Sequence, residues 1–268
     1  MILSIITTTK NDYLRLKKTI DSLKSIYRSS MIEHIIIDGN SKDDTKSYVK
    51  KYQKKYSNII FKSEDDRGIY DGMNKGIALS SGSYLLFLNS GDEFSIKPNL
   101  ILKTLKSCNK RQWQILCFPY VEKWGSIAIE KYPLRYTSNK MPTSHQAMIF
   151  SRFFIKKNMY NPIYRIAADF GVFLEAKPHK VKFLTDHPPL SIVEGEGVAS
   201  NNPMLSYREY CKIVWAKYSL IKSINITIGF LFKAITRTIL RIALSKKMTN
   251  KLRILIYETH ARIFHTKK

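Results

Sequence analysis

The chain of 268 residues has few cysteines and no long apolar run. Cys108, Cys117 and Cys211 fit the spacing of neither a disulfide framework nor a zinc site, and their odd number favours a reducing compartment such as the cytosol. The longest charge-free apolar stretch near the C-terminus, residues 223–232, is about half of the ~20 residues that a membrane-spanning helix needs. We therefore expect neither a disulfide-stapled secreted protein nor a transmembrane helix.

Acidic residues are also scarce, at 21 against 45 lysines and arginines, and the formal net charge is +24. Half of that excess lies in residues 204–268, where 14 basic residues face only Glu209 and Glu258, a net of +12. Such a concentration favours a localised contact with an anionic surface, either membrane or nucleic acid. Because no recognisable nucleic-acid-binding module accompanies it, we predict no specific nucleic-acid partner.

Strand and helix patterns alternate along the first half of the chain. Apolar strand patterns occupy residues 2–7, 33–38, 59–62 and 84–89, and helical patterns occupy residues 13–27, 44–56 and 70–79. This alternation predicts an α/β fold with a doubly wound, mostly parallel sheet. Each predicted strand is followed by polar residues, and the carboxyl ends of parallel strands share one edge, so we expect a ligand crevice there.

The second half has a weaker pattern. Two β-like runs, residues 115–124 and 126–132, flank Gly125 and predict a hairpin. A strand at residues 147–150, a helix at residues 168–176 and extended segments near Val181 and Leu190 follow. Pro203 marks a boundary, after which the pattern is mainly helical.

Several ordered segments carry a resemblance to a known family. The chain opens with LSIITTTKN, continues through IIIDGNSKDDT, and reaches SEDDRGIYDGMNKGIALSSGSYLLFLNSGDEF at residues 63–94. Later pieces are Ser144-His145-Gln146, Ala168-Asp169-Phe170 and residues 194–200. Together they resemble the family 2 glycosyltransferases of the GT-A fold, and most of all the bacterial members that build capsule, exopolysaccharide or the O-antigen of lipopolysaccharide.

The resemblance implies a Rossmann-like GT-A domain and a metal-dependent, inverting, hexosyltransferase-like enzyme. The expected donor is a nucleotide sugar, UDP-linked, and the expected acceptor is a lipid-linked glycan at the cytoplasmic face of the membrane. We expect a catalytic domain at residues 1–203 and a basic amphipathic helical tail at residues 204–268. Within the domain, residues 1–95 are the expected nucleotide-binding half and residues 96–203 the acceptor-side half.

Two carboxylates are assigned chemical roles by the resemblance. Asp92, the only acidic residue left in Asn89-Ser90-Gly91-Asp92 where the family carries an Asp-x-Asp-like motif, is the expected ligand of Mg²⁺ or Mn²⁺. The alternative is an ordinary turn. Asp169 is the expected general base that deprotonates the acceptor hydroxyl. Its alternative is a helix N-terminal carboxylate that is favourable there through the helix dipole.

Other polar residues in the same segments are expected to bind the nucleotide sugar. They are Thr7, Asn11, Asp38, Asp66, Arg67, Asp71, Asn74 and His145. Alternatives remain open for Asp71 and His145. Asp71 and Lys75 have the spacing of a surface ion pair. A lone histidine such as His145 is often structural. Asp43 is interpreted as a helix cap.

The tail has a pattern that suits a membrane surface. In a helix, Lys233, Arg237 and Arg241 form one stripe, opposite an apolar face that consists of Ile228, Leu231, Phe232, Ile235, Ile239 and Ile242. We expect contact with an anionic membrane. The competing interpretation is that the apolar face packs on the catalytic domain.

Two other classes of protein compete with the glycosyltransferase interpretation. A sugar nucleotidyltransferase also uses a doubly wound sheet and Mg²⁺, but it would need a glycine-rich phosphate loop after the first strand, and residues 7–11 contain no glycine. The non-enzymatic alternative is a basic protein that binds membrane or nucleic acid.

Overall fold

The computed structural model describes residues 1–109, 112–137, 139–195, 197, 201–243 and 248. The chain forms two compact units. The first consists of Met1–Lys123 and Glu130–Glu194, and the second of Trp124–Ile129 and Gly195–Lys268.

Eleven strands form two sheets in the described residues. They are β1 (Leu3–Thr9), β2 (Ile32–Asp38), β3 (Ile59–Ser63), β4 (Tyr84–Phe87), β5 (Glu93–Phe94), β6 (Ile115–Cys117), β7 (Tyr120–Trp124), β8 (Ile127–Lys131), β9 (Met148–Ser151), β10 (Val181–Phe183) and β11 (Ser191–Glu194). The larger sheet has the order β10-β6-β9-β4-β1-β2-β3, and the smaller sheet has the order β5-β11-β7-β8.

Eight α-helices lie in the described residues. They are α1 (Tyr13–Ser22), α2 (Thr45–Lys55), α3 (Ile69–Leu79), α4 (Pro98–Asn109), α5 (Arg152–Lys157), α6 (Ala168–Leu174), α7 (Pro203–Lys217) and α8 (Leu220–Ala243). Short 3-10 turns lie at Ile26–Arg28, His145–Ala147 and Pro178–Lys180.

The centre of the larger sheet is parallel and fully buried. β1 pairs with β2 from Leu3 opposite Ile32 to Thr9 opposite Asp38, and β1 pairs with β4 on its other side. Every residue of β1 and β2 is buried, as expected for strands that are covered on both faces. The predicted doubly wound, mostly parallel α/β sheet is therefore confirmed. Its antiparallel member is β9, which pairs with both β4 and β6.

The structure differs from the sequence-based expectation around Pro119. Residues 115–124 are not one strand, because β6 ends at Cys117 in the larger sheet and β7 begins at Tyr120 in the smaller one. Proline has no backbone N–H to donate to a sheet, which explains a break at this position. The predicted hairpin around Gly125 is present as β7 and β8, and Gly125 has a φ of +63°.

Helices α7 and α8 lie in the predicted tail and pack on each other. The Trp215 indole N–H donates to Thr227 Oγ1 at 3.0 Å, and the rings of Tyr210 and Phe230 lie 5.3 Å apart. The side chains of Arg237 and Arg241, and all of Ile242 except its helical backbone, lie outside what the structure describes. Within the described residues, each helix is too short or too polar to cross a bilayer.

A buried histidine joins β1, β2 and the segment after α1. The Thr7 hydroxyl donates to the Leu88 carbonyl at 2.7 Å, so it accepts from His34 Nε2 at 2.9 Å. His34 Nδ1 must then accept from the Tyr27 hydroxyl, also at 2.9 Å. Burial lowers the pKa of His34 from 6.5 to about 3, so the ring is neutral in the fold.

This histidine makes the protein sensitive to acid. Below pH 6.5 the unfolded chain binds a proton that buried His34 does not, so the free energy of unfolding falls as the pH decreases towards about 3. The contribution is at most about 1.4 kcal/mol per pH unit. We expect His34→Gln to reduce the pH dependence measured by urea unfolding between neutral and mildly acidic pH.

The control is His179→Gln, because His179 is exposed and its replacement leaves the buried rings untouched. An unchanged pH dependence in His34→Gln would show that His34 does not contribute to acid sensitivity.

Candidate active site

Several predicted site residues lie at the ends of four parallel strands or in the loops that follow them. β1, β2, β3 and β4 run in the same direction, so the loops after them lie along one edge of the sheet. Helix α1 lies beside the loop that follows β4. The Thr19 hydroxyl accepts from Gly91 N at 2.9 Å and lies 2.8 Å from the Asp92 carbonyl oxygen. This one side chain therefore fixes the backbone on both sides of Gly91.

Gly91 is required by the shape of this loop. Its φ of +97° lies in the region that favours glycine. A Cβ at this position would lie 2.5 Å from Arg15 Nε and 2.7 Å from Arg15 Nη2. The absent side chain thus lets Arg15 lie against the loop, where it forms an ion pair with Glu194 at 3.2 Å.

The carboxylate of Asp92 is buried, and only one of its two oxygens accepts hydrogen bonds from the described residues. Its residue is 5% exposed, and its Oδ2 accepts from Asn89 N at 3.2 Å and from Gln146 Nε2 at 3.1 Å. Among the described residues, none donates to Oδ1. Burial raises the pKa of Asp92 to about 7, although the hydrogen bonds from Gln146 and Asn89 and the charge of Arg15 oppose the shift.

These properties fit a divalent cation. The described residues contain no group of three His, Cys, Asp or Glu side chains that is able to hold a metal. Mg²⁺, however, is often bound by one or two carboxylates together with water and substrate phosphate oxygens. A cation at Oδ1 would also offset the burial of the Asp92 charge. Asp92 as a metal ligand nevertheless stays a prediction.

Gln146 is a contact of Asp92 that is absent from the predicted binding set. Its Nε2 donates to Asp92, while its Oε1 accepts from Ser144 Oγ at 2.6 Å, which fixes the orientation of the amide. The resemblance places the Ser-His-Gln segment at the site and implies a binding role for the histidine. The structure shows that the glutamine reaches the carboxylate.

His145 instead lies inside an aromatic cluster. Its ring stacks on Phe87 with centroids 5.2 Å apart, and its Nε2 lies 2.6 Å from the Tyr160 hydroxyl. Burial lowers the pKa of His145 to about 3, so this imidazole is neutral. The geometry gives His145 a supporting position behind Gln146, and its predicted contact with the nucleotide sugar stays a prediction.

Asp169 lies in the first turn of α6 and is half-buried. The Tyr70 hydroxyl lies 3.3 Å from Asp169 Oδ1 and 2.7 Å from the Ile166 carbonyl oxygen, so it holds both the carboxylate and the loop before it. Tyr70 in turn stacks on Tyr160, with centroids 5.4 Å apart.

A continuous set of contacts therefore connects the two predicted chemical carboxylates. Asp92 contacts Gln146, and the preceding residue, His145, contacts Tyr160. Tyr160 stacks on Tyr70, which reaches Asp169. The acidic charge of Asp169 also contributes to the raised pKa of Tyr160, after desolvation. We call this set the aromatic bridge, and it lies within the first unit.

Both carboxylate oxygens of Asp38 accept hydrogen bonds from side chains or backbone of the same chain. It is fully buried, and it accepts from Ser63 Oγ at 2.6 Å, from the Ser41 hydroxyl, and from Ser41 N at 3.1 and 3.2 Å. These bonds shape the loop after β2. Asn11, with a φ of +49°, joins the same loop because its backbone N–H donates to Ser41 Oγ at 2.7 Å.

Asp43 acts close to its expected role as a cap. Helix α2 begins at Thr45, and the Asp43 carboxylate accepts from Thr45 N at 3.1 Å and from Tyr13 N at 3.0 Å. It therefore satisfies the first N–H of both α1 and α2.

The segment between β3 and α3 presents charged side chains at the same edge. The Asp66 carboxylate lies 3.9 Å from Lys10 Nζ, and Arg67, which is 80% exposed, forms an ion pair with Asp71 at 3.4 Å. Partial burial opposes ionisation of Asp71, but a hydrogen bond from Arg67 N and the charge of Lys75 produce a net lowering of its pKa. The predicted Asp71–Lys75 ion pair is present at 3.4 Å.

Asn74 has a clear structural use. Its Nδ2 donates to the Tyr160 carbonyl at 2.7 Å, and its Oδ1 accepts from Tyr160 N at 3.0 Å. Both ends of the amide therefore hold one residue of the aromatic bridge. Its predicted contact with the nucleotide sugar, like those of Thr7, Asn11, Asp38, Asp66, Arg67 and Asp71, stays a prediction.

Comparison with known proteins agrees with this fold. Residues 4–149 match the model of glycosyl transferase family 2. An uncharacterized glycosyltransferase of Mycobacterium tuberculosis is 32% identical over 186 residues, which cover 65% of this chain and 68% of the relative. A PGL/p-HBAD biosynthesis glycosyltransferase of Mycobacterium bovis is 27% identical over 174 residues, which cover 62% of this chain and 66% of the relative.

Two solved structures share the fold at low sequence identity. TarS of S. aureus in complex with UDP superposes with a TM-score of 0.66 at 16% identity, over 91% of this chain and 76% of that one. The mannosyltransferase PcManGT of Pyrobaculum calidifontis, in complex with GDP-Man and Mn²⁺, gives a TM-score of 0.58 at 12% identity, over 97% of this chain and 80% of that one.

The fold is therefore that of the GT-A glycosyltransferases. The family match covers more than half of the chain, and the protein belongs to glycosyl transferase family 2.

The conformation of Gly91 gives a test of how the Asp92 loop is held. We expect Gly91→Ala to lower the free energy of unfolding by about 1 to 3 kcal/mol, because alanine is strained at this φ and its Cβ meets Arg15. Thermal unfolding at constant pH measures the change.

Gly125→Ala is the matched control, since Gly125 also has a positive φ but a Cβ there would meet nothing within 4 Å. A smaller loss in Gly91→Ala than in Gly125→Ala would contradict the close approach of Arg15.

Proposed function

We propose that this glycosyltransferase moves a hexose from a UDP-linked nucleotide sugar to a lipid-linked glycan acceptor, with inversion at the anomeric carbon, in bacterial surface polysaccharide synthesis. The observation that carries the proposal is the aromatic bridge between Asp92 and Asp169. It holds one carboxylate suited to a cation and a second suited to proton transfer in a single packed unit.

The donor would lie along the strand-end loops. TarS, a structural neighbour, has been solved with UDP and with UDP-GlcNAc, which supports a nucleotide-sugar donor for a chain of the same fold. Arg67 is mostly exposed beside these loops, and its planar fork of donors suits a diphosphate. Asp66 and Asn11 would contact the donor there, whereas Thr7, Asp38 and Asn74 would support the site through their hydrogen bonds to the chain.

Asp92 would hold the divalent cation, Mg²⁺ or Mn²⁺, which when bound supplies positive charge to the diphosphate leaving group. Gln146 and the Asn89 N–H keep the carboxylate in place by bonding only its Oδ2. This arrangement leaves Oδ1 without a donor among the described residues and therefore available to a ligand. A structural neighbour solved with GDP-Man and Mn²⁺ supports metal dependence for this fold.

Asp169 would take the proton of the acceptor hydroxyl. Attack of that oxygen on C1 of the sugar forms the new glycosidic bond and breaks the bond from C1 to the diphosphate oxygen, while the proton moves to Asp169. The Tyr70 hydroxyl lies 3.3 Å from Oδ1, but its single proton is closer to the Ile166 carbonyl oxygen at 2.7 Å, so it positions the segment that carries Asp169.

The acceptor side and the membrane contact are parts of the same proposal. A relative bears the name of a glycosyltransferase of PGL/p-HBAD biosynthesis, which supports an acceptor of surface-glycan type. The net charge of +12 in residues 204–268 favours a peripheral position on the anionic inner face of the cell membrane. We assign residues 1–203 to catalysis, with residues 96–203 on the acceptor side, and residues 204–268 to this contact.

A panel of UDP-, GDP-, CMP- and dTDP-sugars, each with Mn²⁺, tests the donor. A ligand at about 100 times its Kd adds about 2.7 kcal/mol to the folded state, so thermal stabilisation ranks the nucleotides. We expect UDP-sugars to stabilise most. Release of pyrophosphate from a sugar phosphate and a nucleoside triphosphate would instead indicate a nucleotidyltransferase.

The metal assignment is tested at Asp92. Asp92→Ala should abolish transfer and weaken nucleotide-sugar binding in the presence of Mn²⁺, because the diphosphate loses its bridging cation. Calorimetry with UDP, with and without Mn²⁺, measures the loss. Gln146→Ala should retain metal-dependent binding at reduced affinity, since the carboxylate remains.

Turnover by Asp92→Ala in EDTA at the wild-type rate would show that no metal acts through this residue.

The general base is tested at Asp169. Asp169→Asn preserves the shape of the side chain but removes the basic lone pair, so kcat should fall by roughly 100-fold or more while donor affinity is nearly unchanged. Tyr70→Phe removes the hydroxyl that bonds the Ile166 carbonyl and lies near Oδ1, so kcat should fall by less than in Asp169→Asn, because the carboxylate remains but is held less firmly.

A loss of donor binding equal to the loss of turnover in Asp169→Asn would point to a purely structural carboxylate.

A further inference from the structure

Helix α8 carries large apolar side chains on its solvent-facing side. At 3.6 residues per turn they fall in one stripe about 100° wide, and all are exposed. We call them the α8 stripe: Ile221, Ile224, Ile228, Leu231, Phe232, Ile235 and Ile239. Phe232 is 73% exposed and Ile221 75%. A helix of a globular protein usually turns such a stripe towards the core, so this one needs a different explanation.

The opposite face of α8 is already occupied. Ser223, Ile226, Phe230 and Ala234 are buried. Phe230 packs on Tyr210 of α7, and the Ser223 hydroxyl lies 3.3 Å from the Val214 carbonyl oxygen. The helix is therefore anchored by a narrower and partly polar face, while its most apolar face remains exposed.

The exposed apolar stripe changes the interpretation of the tail. Attraction by charge alone requires only lysine and arginine at the surface, and it would not require an exposed apolar face on α8.

The charges of α8 favour lipid over a second copy of the chain. Between Leu220 and Ala243 there are four basic residues and no acidic one. Paired helices usually gain specificity from opposite charges, and this helix has no acidic residue that could pair with the basic residues of a second copy. An anionic bilayer complements both features, because it accepts apolar side chains and attracts lysine and arginine.

We propose that α8 lies in the plane of an anionic bilayer and inserts the α8 stripe into the boundary between headgroups and acyl chains. The helix of 24 residues is about 36 Å long, and none of the described helices is suited to cross the bilayer, so it lies on the membrane surface. The inference deepens the membrane contact proposed above, with apolar insertion as the main attraction and charge as the secondary one.

Flotation of the full chain with phosphatidylcholine vesicles that contain phosphatidylglycerol tests the insertion. Ile228→Ser with Phe232→Ser should weaken vesicle partitioning by at least about tenfold, because two apolar side chains no longer leave water. The matched control is Leu14→Ser with Phe153→Ser, since those residues are 77% and 84% exposed in the first unit. We expect it to bind vesicles as the wild type does.

Salt separates insertion from charge attraction. In about 0.5 M NaCl the wild type should keep a measurable part of its binding, because screening weakens only the electrostatic part. Complete release by salt, together with wild-type binding of the Ile228→Ser and Phe232→Ser variant, would overturn the proposal.

A fluorescent reporter keeps the test valid even if that double variant folds poorly. The three native tryptophans give a background that the wild type measures. Above that background, Phe232→Trp should add a blue-shifted emission that brominated lipid quenches, whereas Lys50→Trp, at an exposed position of α2, should add neither. The absence of this added signal in Phe232→Trp with vesicles would overturn the proposal.

The second copy is an explicit outcome. A dimer in sedimentation velocity that the Ile228→Ser and Phe232→Ser variant abolishes, without vesicle binding by the wild type, would assign the stripe to self-association and overturn the proposal. Because partitioning is measured and not transfer, an inactive protein that binds vesicles would count against the proposed function alone.

Discussion

The position of the Asp92 carboxylate depends on the hydroxyl of Thr19. It accepts a hydrogen bond from the Gly91 N–H and lies 2.8 Å from the carbonyl oxygen of Asp92, so it fixes the loop on both sides of its only left-handed residue. Once that backbone is fixed, Asp92 is buried with Oδ2 against Gln146, and Oδ1 receives no donor from the described residues. The contact of Asp92 with Gln146, which begins the aromatic bridge, depends on this placement.

Hydrogen bonds from buried and partly buried polar side chains join the two halves of the first unit. Asn74 of α3 bonds both backbone groups of Tyr160, a residue 86 positions later, and His145 bonds the hydroxyl of the same tyrosine. An unpaired buried amide or imidazole would cost about 1 to 3 kcal/mol, so each group strongly specifies its partner. Both sides of the predicted crevice are therefore held together by directional bonds as well as by apolar packing.

The sequence allowed the central parallel strands to be predicted because each has a buried apolar run with polar residues at its end. It did not show that Pro119 sends β6 and β7 into different sheets, since the run from Ile115 to Trp124 is continuously β-like. At the site, Asp92 and Asp169 were predicted through the resemblance. Gln146 was passed over because the contact of a side chain with a residue 54 positions earlier has no local pattern.

The hydrogen bonds that a carboxylate accepts from its own chain give a physical criterion for its use. Asp38 is the last residue of β2, and Asp92 follows β4 of the same sheet. Both are buried, so burial alone does not distinguish them. Both oxygens of Asp38 accept bonds from Ser41, and one also accepts from Ser63, so its negative charge is already compensated. Asp92 has one oxygen without a donor among the described residues and a pKa raised by burial to about 7. A ligand with positive charge therefore has more to stabilise at Asp92 than at Asp38.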